Sequence, residues 1–198
     1  MNLLRKCPCP VWLIKCKGPR SFRRILAAVD VDDSYPPEER EIRHAMNCQV
    51  LEMAGALALS EFAELHVVHV WDAIGEMVLR GTFVSTPKDE VAAYVKVTRE
   101  RNAANLAALL REVTGILGTD ALEYLRPKTH LVKGLARKEI TVLARQLKAD
   151  LVVMGTVGRT GIPGLIMGNT AETILQQVDC SVLAIKPPGF VTPVSLEG

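Results

Sequence analysis

From Arg23 onward the chain alternates short apolar runs rich in β-branched residues with longer stretches whose apolar residues recur at helical spacing. Residues 25–29 form the first run, which stops at Asp30. After a polar loop with Pro36 and Pro37, Val50, Met53, Ala54 and Leu57 fall at i, i+3, i+4 and i+7 and predict one helix face. Leu65, Val67, Val68 and Val70 predict a second strand. Ser85, Thr86 and Pro87 combine hydroxyl caps with proline, a helix start, and Leu106, Leu109, Leu110 and Val113 would be that helix's buried face. A third strand spans 128–132 and is closed by Gly134; Ile140, Leu143, Ala144 and Leu147 mark the next helix. The run 151–154 is wholly apolar, which predicts a strand buried on both faces at the sheet centre. Ala171, Ile174, Leu175 and Val178 then give a last helix and residues 181–185 a fifth strand, stopped by Pro187 and Pro188. Strands separated by helices, with right-handed crossovers, make an α/β fold: a doubly wound, five-stranded parallel sheet sandwiched by helices.

The amino terminus lies outside this alternation but repeats a piece of it. LLRKCPCPVWLIKCKG at 3–18 superposes without gaps on ILQQVDCSVLAIKPPG at 174–189, with cysteine, valine, isoleucine, lysine and glycine coinciding. Residues 1–18 are therefore expected to be the remnant, a helix end and final strand, of a preceding copy of the domain. The domain itself spans 19–188, and 189–198 form a flexible tail. Chance similarity of two short apolar strands is the alternative. A strand at 11–15 needs a sheet edge, and the equivalent edge is 182–186.

Composition narrows the function classes. The 198 residues are 48% apolar, 23% charged and 5% aromatic, which excludes a disordered or fibrous chain. A net charge of +2, from 24 basic and 22 acidic residues, is too small for wrapping nucleic acid or coating an anionic membrane. The longest uncharged stretch, 160–171, is too short and too rich in glycine for a membrane span. The amino terminus does not read as a signal peptide, and the five cysteines (Cys7, Cys9, Cys16, Cys48 and Cys180) are odd in number and lack a paired CxxC. A reducing cytoplasm is the expected location. Cys7 and Cys9 with His44 or His130 would be an unusual metal set, so no resident metal is expected. His66 and His69, three apart on the second strand, must point to opposite faces, which rules out a two-histidine clamp.

The chemistry concentrates in MGTVGRTGIPGLIMGNTAE at 154–172, a glycine-rich connection between a buried strand and a helix. Glycines let the backbone approach an anion, consecutive N–H groups form a nest, and a helix N-terminus adds unpaired donors. Phosphate is the expected guest, although neither the P-loop nor the dinucleotide fingerprint is present. The pattern Gly155-x2-Gly158-x9-Gly168, preceded by VVMG and followed by an AE helix and CSVLAIKP, resembles the universal stress protein family. Val29-Asp30, HVVHVWD at 66–72 and VKG at 132–134 belong to the same resemblance, which covers 23–188 and looks most like half of a tandem-domain member.

That resemblance implies an adenine nucleotide alpha hydrolase-like fold, with the five strands ordered 3-2-1-4-5, and a site for ATP or AMP. Asp30 and Val70 would meet the adenine, while Gly155, Gly158 and Gly168 would hold ribose and phosphates. Arg159 could reach a terminal phosphate. ATP-binding members follow the last glycine with serine or threonine, whereas this chain has Asn169; its amide can donate to phosphate or cap the helix, and Thr170 is a second candidate. Asp30, Asp32 and Asp33 could share magnesium or manganese, but only with a bound nucleotide. The function so implied is a cytoplasmic stress-response module that senses a nucleotide without efficient catalysis and dimerises through 182–186, or pairs that edge with 11–15. The alternative is a non-nucleotide binding or dimerisation module, in which Met77, Val78, Leu79, Phe83 and Val84 help enclose an apolar, lipid-like ligand.

Overall fold

A computed structural model describes residues 4, 6–15, 21–80, 86–117, 124–156, 168–190 and 192, with 116 and 117 described by backbone alone. The elements run β1 (Val11–Leu13), β2 (Arg24–Val29), α1 (Pro37–Glu61), β3 (Glu64–Trp71), α2 (Ile74–Leu79) and α3 (Lys88–Leu117). They continue as β4 (Lys128–Lys133), α4 (Ala136–Leu147), β5 (Leu151–Gly155), α5 (Asn169–Gln177) and β6 (Ser181–Ile185).

One sheet holds the strands in the order β1-β6-β5-β2-β3-β4. β2 to β6 are mutually parallel and give the expected 3-2-1-4-5 order. The sixth strand is an addition: β1 pairs antiparallel with β6, matching Val11 with Ala184, Trp12 with Leu183 and Leu13 with Val182.

The period of two along the central strands sorts side chains into two cores. Ile25, Ala27, Val67, Leu151 and Val153 face Val50, Ala54 and Ala58 of α1 and Leu106, Leu109 and Val113 of α3. Leu26, Ala28, Val68, Val152 and Met154 face Ile140 and Ala144 of α4 and Ala171, Ile174 and Leu175 of α5. Each aliphatic side chain so buried contributes roughly 1.5–3 kcal/mol against the entropy of ordering the chain. Leu4 and Val11 join the second core, so the amino-terminal segment is packed as well as paired.

Local chemistry explains the element ends. Pro37 at the first turn of α1, with Glu38 and Glu39 beside it, suits a helix start. α1 and α4 each end on a left-handed residue that turns the chain toward the next strand: Phe62 (φ 53°) and Lys148 (φ 49°). In both turns the following N–H reaches back into the helix, Ala63 to the Ala58 carbonyl and Ala149 to the Ala144 carbonyl, each at 2.8 Å. The short helix α2 lies within the connection after β3, where no helical period is visible in the sequence. Its Ile74, Met77 and Val78 are exposed, so they trace no buried stripe. Leu79 is only partly buried, and Phe83 and Val84 lie outside the described residues.

Candidate functional site

In a 3-2-1-4-5 sheet the connections depart to opposite sides at the junction of β2 with β5, and it is beyond the carboxyl ends of the strands at such a junction that doubly wound sheets generally bind ligands. Asp30 follows β2 and Gly155 ends β5 on the two sides of that junction. Val70 lies one register position past the Val29–His69 pair, beside Asp30 on β3, and is partly buried. The sheet therefore brings Asp30, Val70 and Gly155 to one end of the molecule.

Asp30 is held by both backbone and side chain. Asn47 of α1 grips the backbone from two directions: its Oδ1 accepts the Asp30 N–H at 3.0 Å, and its Nδ2 donates to the Asp30 carbonyl at 2.7 Å. The carboxylate Oδ2 accepts from Arg43 at 2.8 Å and from the Tyr35 hydroxyl at 3.2 Å, while Oδ1 accepts the Asp32 N–H at 3.3 Å. Arg43 also pairs with Glu39 at 2.6 Å and lies over the Tyr35 ring at 3.9 Å. Burial, helped by the Asp30 charge, pushes the Tyr35 phenol up to about 12. Tyr35 thus remains a neutral donor, and the charge on Asp30 is shared with Arg43.

Beneath this cluster His69 is fully buried, with neighbours at both ring nitrogens. Asn102 donates its amide to the Thr98 carbonyl at 2.8 Å, which leaves its Oδ1 to accept from His69 Nε2 at 2.8 Å. Nδ1 lies 3.4 Å from the Val31 nitrogen and 3.3 Å from the Val29 carbonyl oxygen, which ties the ring to the end of β2 and the turn after Asp30. His66 points to the other face, stacked on His130 with ring centroids 5.2 Å apart. The alternation read from the sequence places both histidines correctly, in structural roles.

The three aspartates do not converge. Asp30 faces Arg43, Asp32 accepts the Ser34 N–H at 2.9 Å, and Asp33 pairs with Arg101 of α3 at 3.2 Å.

The glycine connection is pinned at both ends. Thr156 donates its N–H and its hydroxyl to the Ile185 carbonyl at 2.9 and 3.0 Å, and Gly168 donates its N–H to the Thr156 carbonyl at 3.0 Å. Gly158 and Arg159 lie between these anchors, outside the described residues. A Cβ at Gly155 would meet the sulfur and terminal methyl of Met46, the adaptable end of a side chain that would have to shift to admit it. α5 begins differently from expectation. Gly168, in extended conformation, holds the N-cap position and Asn169 is the first helical residue, so Asn169 does not cap the helix. The first intrahelical bond runs from the Glu172 N–H to the Gly168 carbonyl at 3.0 Å, which leaves the N–H groups of 169–171 without an intrahelical acceptor. Asn169 and Thr170 are exposed at that end.

Sequence reasoning missed Tyr35, Arg43 and Asn47. Arg43 and Asn47 do stand four apart on one helix face, and Arg43 stands four after Glu39, but their common target on β2 depends on how α1 lies across the sheet.

The architecture is that of a doubly wound α/β domain whose switch point lies between β2 and β5. The family model for the universal stress protein family matches residues 21–186, and the chain belongs to that family. Universal stress protein E of Escherichia coli K12 is 32% identical over 196 residues, 99% of this chain and 57% of the relative. A universal stress protein structure from Pseudomonas aeruginosa UCBPP-PA14 matches at 29% identity and a TM-score of 0.60, over 94% of this chain and 55% of that one. A protein of unknown function from P. aeruginosa PAO1 matches at 27% identity with the same TM-score, over 94% of this chain and 55% of its own length. UspA from Lactobacillus plantarum shares the fold at 19% identity and a TM-score of 0.60, over 85% of this chain and all of its own. The chain spans about half the length of the curated relatives it matches. No described helix is long and apolar enough to cross a membrane.

Proposed function

We propose that this domain is a cytoplasmic stress-response module that binds an adenine nucleotide, ATP or AMP, in the crevice beyond β2 and β5 and does not turn it over efficiently. The observation that carries the reading is the meeting of Asp30, Val70, Gly155 and the start of α5 at one switch point. Asp30 keeps unused lone pairs beside its protein donors and can accept from a ribose hydroxyl or an adenine amine. Val70 offers an apolar side to the base. The N–H groups at the start of α5, with the Asn169 amide and the Thr170 hydroxyl, suit a phosphate, which Gly158 and Arg159 would enclose. The connection between Gly155 and Gly168 contains no lysine, so the reading is of binding, with magnesium or manganese arriving only with the nucleotide.

Calorimetry with ATP, ADP and AMP, with and without magnesium, tests this directly. We expect binding to the unaltered chain, a loss of about tenfold or more in Asp30→Ala, and abolition in Gly158→Glu with the circular dichroism unchanged. Absence of heat with every nucleotide in the unaltered, ligand-stripped protein would overturn the reading.

A second reading concerns assembly, and β1 favours it. We propose that residues 1–18 are the end of a preceding copy and that the edge of β6 is a docking edge for an equivalent strand, from that copy or from a homodimer partner. When 3–18 is aligned on 174–189, Val11, Trp12 and Leu13 stand for 182, 183 and 184. The β1–β6 ladder then pairs 182 with 184, 183 with 183 and 184 with 182. Such reciprocal pairing is the signature of a two-fold, isologous contact. The length of the curated relatives, of which this chain covers 57%, supports the same reading.

A further inference from the structure

Away from the crevice, α1 and α3 bring together three side chains of metal-ligating type. His44 and Cys48 stand one turn apart on α1, and Glu112 of α3 faces them across the seam. His44 Nε2 lies 3.0 Å from Glu112 Oε1, and Cys48 Sγ lies 3.8 Å from each of those two atoms. We propose that His44, Cys48 and Glu112 form a binding site for a zinc-like divalent cation, with the fourth coordination position open.

The distances support this arrangement. In a tetrahedral zinc site with ordinary bond lengths, nitrogen and oxygen ligands lie about 3.3 Å apart, and each lies about 3.5 Å from a thiolate sulfur. The observed triangle differs from that by a few tenths of an ångström on each side, within reach of small rotamer adjustments. The ligand set also selects the metal. A thiolate with an imidazole and one carboxylate suits borderline-soft zinc and does not suit magnesium or calcium, which take oxygen ligands. Among the described residues, these are the one group of three or more His, Cys, Asp and Glu side chains close enough together to share an ion.

Access and charge agree with the geometry. The His44 and Glu112 side chains are about half exposed, at 51% and 49%, so a hydrated ion can reach them. Without a cation, burial pushes the Cys48 thiol up to about 11, and the Glu112 and Glu52 charges add to the effect. A divalent cation would satisfy those carboxylates and displace the thiol proton. Bound there, it would join α1 to α3 beside the residues that hold Asp30, since Arg43 and Asn47 directly precede His44 and Cys48 in α1.

Cobalt titration of the reduced, chelator-stripped chain tests the site, backed by zinc competition against a chromophoric chelator. We expect one equivalent of cobalt to give tetrahedral d–d bands with a near-ultraviolet thiolate-to-cobalt band. Cys48→Ser should lose that band. His44→Gln and Glu112→Gln should weaken zinc by at least the roughly 10–100-fold that follows loss of a mere ligand-supporting group. Cys180→Ser and the Cys7→Ser, Cys9→Ser double variant should keep both band and affinity. Glu112→Gln alters a half-exposed side chain, so it should fold even if a cysteine variant does not. Absence of the thiolate band in the unaltered chain would overturn the proposal. So would its persistence in Cys48→Ser, or its loss in the Cys7, Cys9 variant, which would move the metal to the amino terminus.

Discussion

The outer strands of the five-stranded parallel part of the sheet are built from opposite chemistry. β6 (Ser181–Ile185) is buried at every position, whereas no residue of β4 (Lys128–Lys133) is buried. β4 carries a lysine at each end. Lys128 pairs with Glu64 at 2.8 Å, and Lys133 pairs with Glu76 while lying 5.9 Å from the Trp71 ring centre. An edge of this kind can stand open in water, because an incoming strand would have to strip charges from it. β6 has no such guard and is closed by β1, with Val11 in the core and Lys186 donating to the Leu4 carbonyl below. The contrast teaches that β4 ends the sheet by its own chemistry, while β6 needs a covering strand.

Removing that cover is the strongest way to break the comparison. Deletion of residues 1–15 should convert the chain to a dimer or larger species by β6 pairing, read by light scattering after size-exclusion chromatography. A monomer of unchanged melting temperature would show that the β6 edge tolerates water as β4 does. Next in size, Val11→Asp would put a carboxylate into the core beside Ala184, and we expect a loss of about 2–4 kcal/mol in urea unfolding. Trp12→Ala acts on the other side of β1, where Trp12 is 39% exposed and packs on Phe22 with centroids 5.5 Å apart. There the expected loss is nearer 1 kcal/mol. Equal losses in the two variants would mean that β1 is held by both faces alike and not chiefly by the α4–α5 core.

The smallest effect belongs to the open edge. His66 Nδ1 and His130 Nε2 are 2.9 Å apart, and burial holds both imidazoles below their ordinary value, with the His66 charge adding to the effect on His130. The unfolded chain therefore takes up protons first as pH falls. Stability should be complete above about pH 6.5 and decline below it, as the unfolded histidines protonate while the folded pair resists. Urea midpoints between pH 7 and pH 5 should show this decline, and His130→Gln should flatten it. A slope identical in the variant would assign the acid sensitivity to groups elsewhere.

Much of this molecule is legible along the chain. The places along the chain and the faces of β2 to β6, the helix stripes on α1, α3, α4 and α5, the placement of Asp30 at a strand end and the opposed His66 and His69 all follow from periods of 2 and 3.6 residues and from glycine and proline punctuation. The short repeat at 3–18 also pointed β1 toward the β6 edge, because similar strands have similar partners. These are local signals, written within a few residues of the place they describe.

Other features exist only once the elements pack. The crossing of α1 over β2 and β5 decides that Arg43, Tyr35 and Asn47 close on Asp30 and that Met46 fills the space in front of Gly155. The seam between α1 and α3 decides that Glu112 meets Cys48 from 64 residues away. α2 escaped notice because its apolar side chains face water, and the start of α5 fell to Gly168 because the Gly168 to Thr156 bond anchors the chain one residue before Asn169. Periodicity states which face of a helix is apolar; the angle and height at which two faces meet depend on the shapes of all the side chains between them, so polar partners at the rim are set by the tertiary structure.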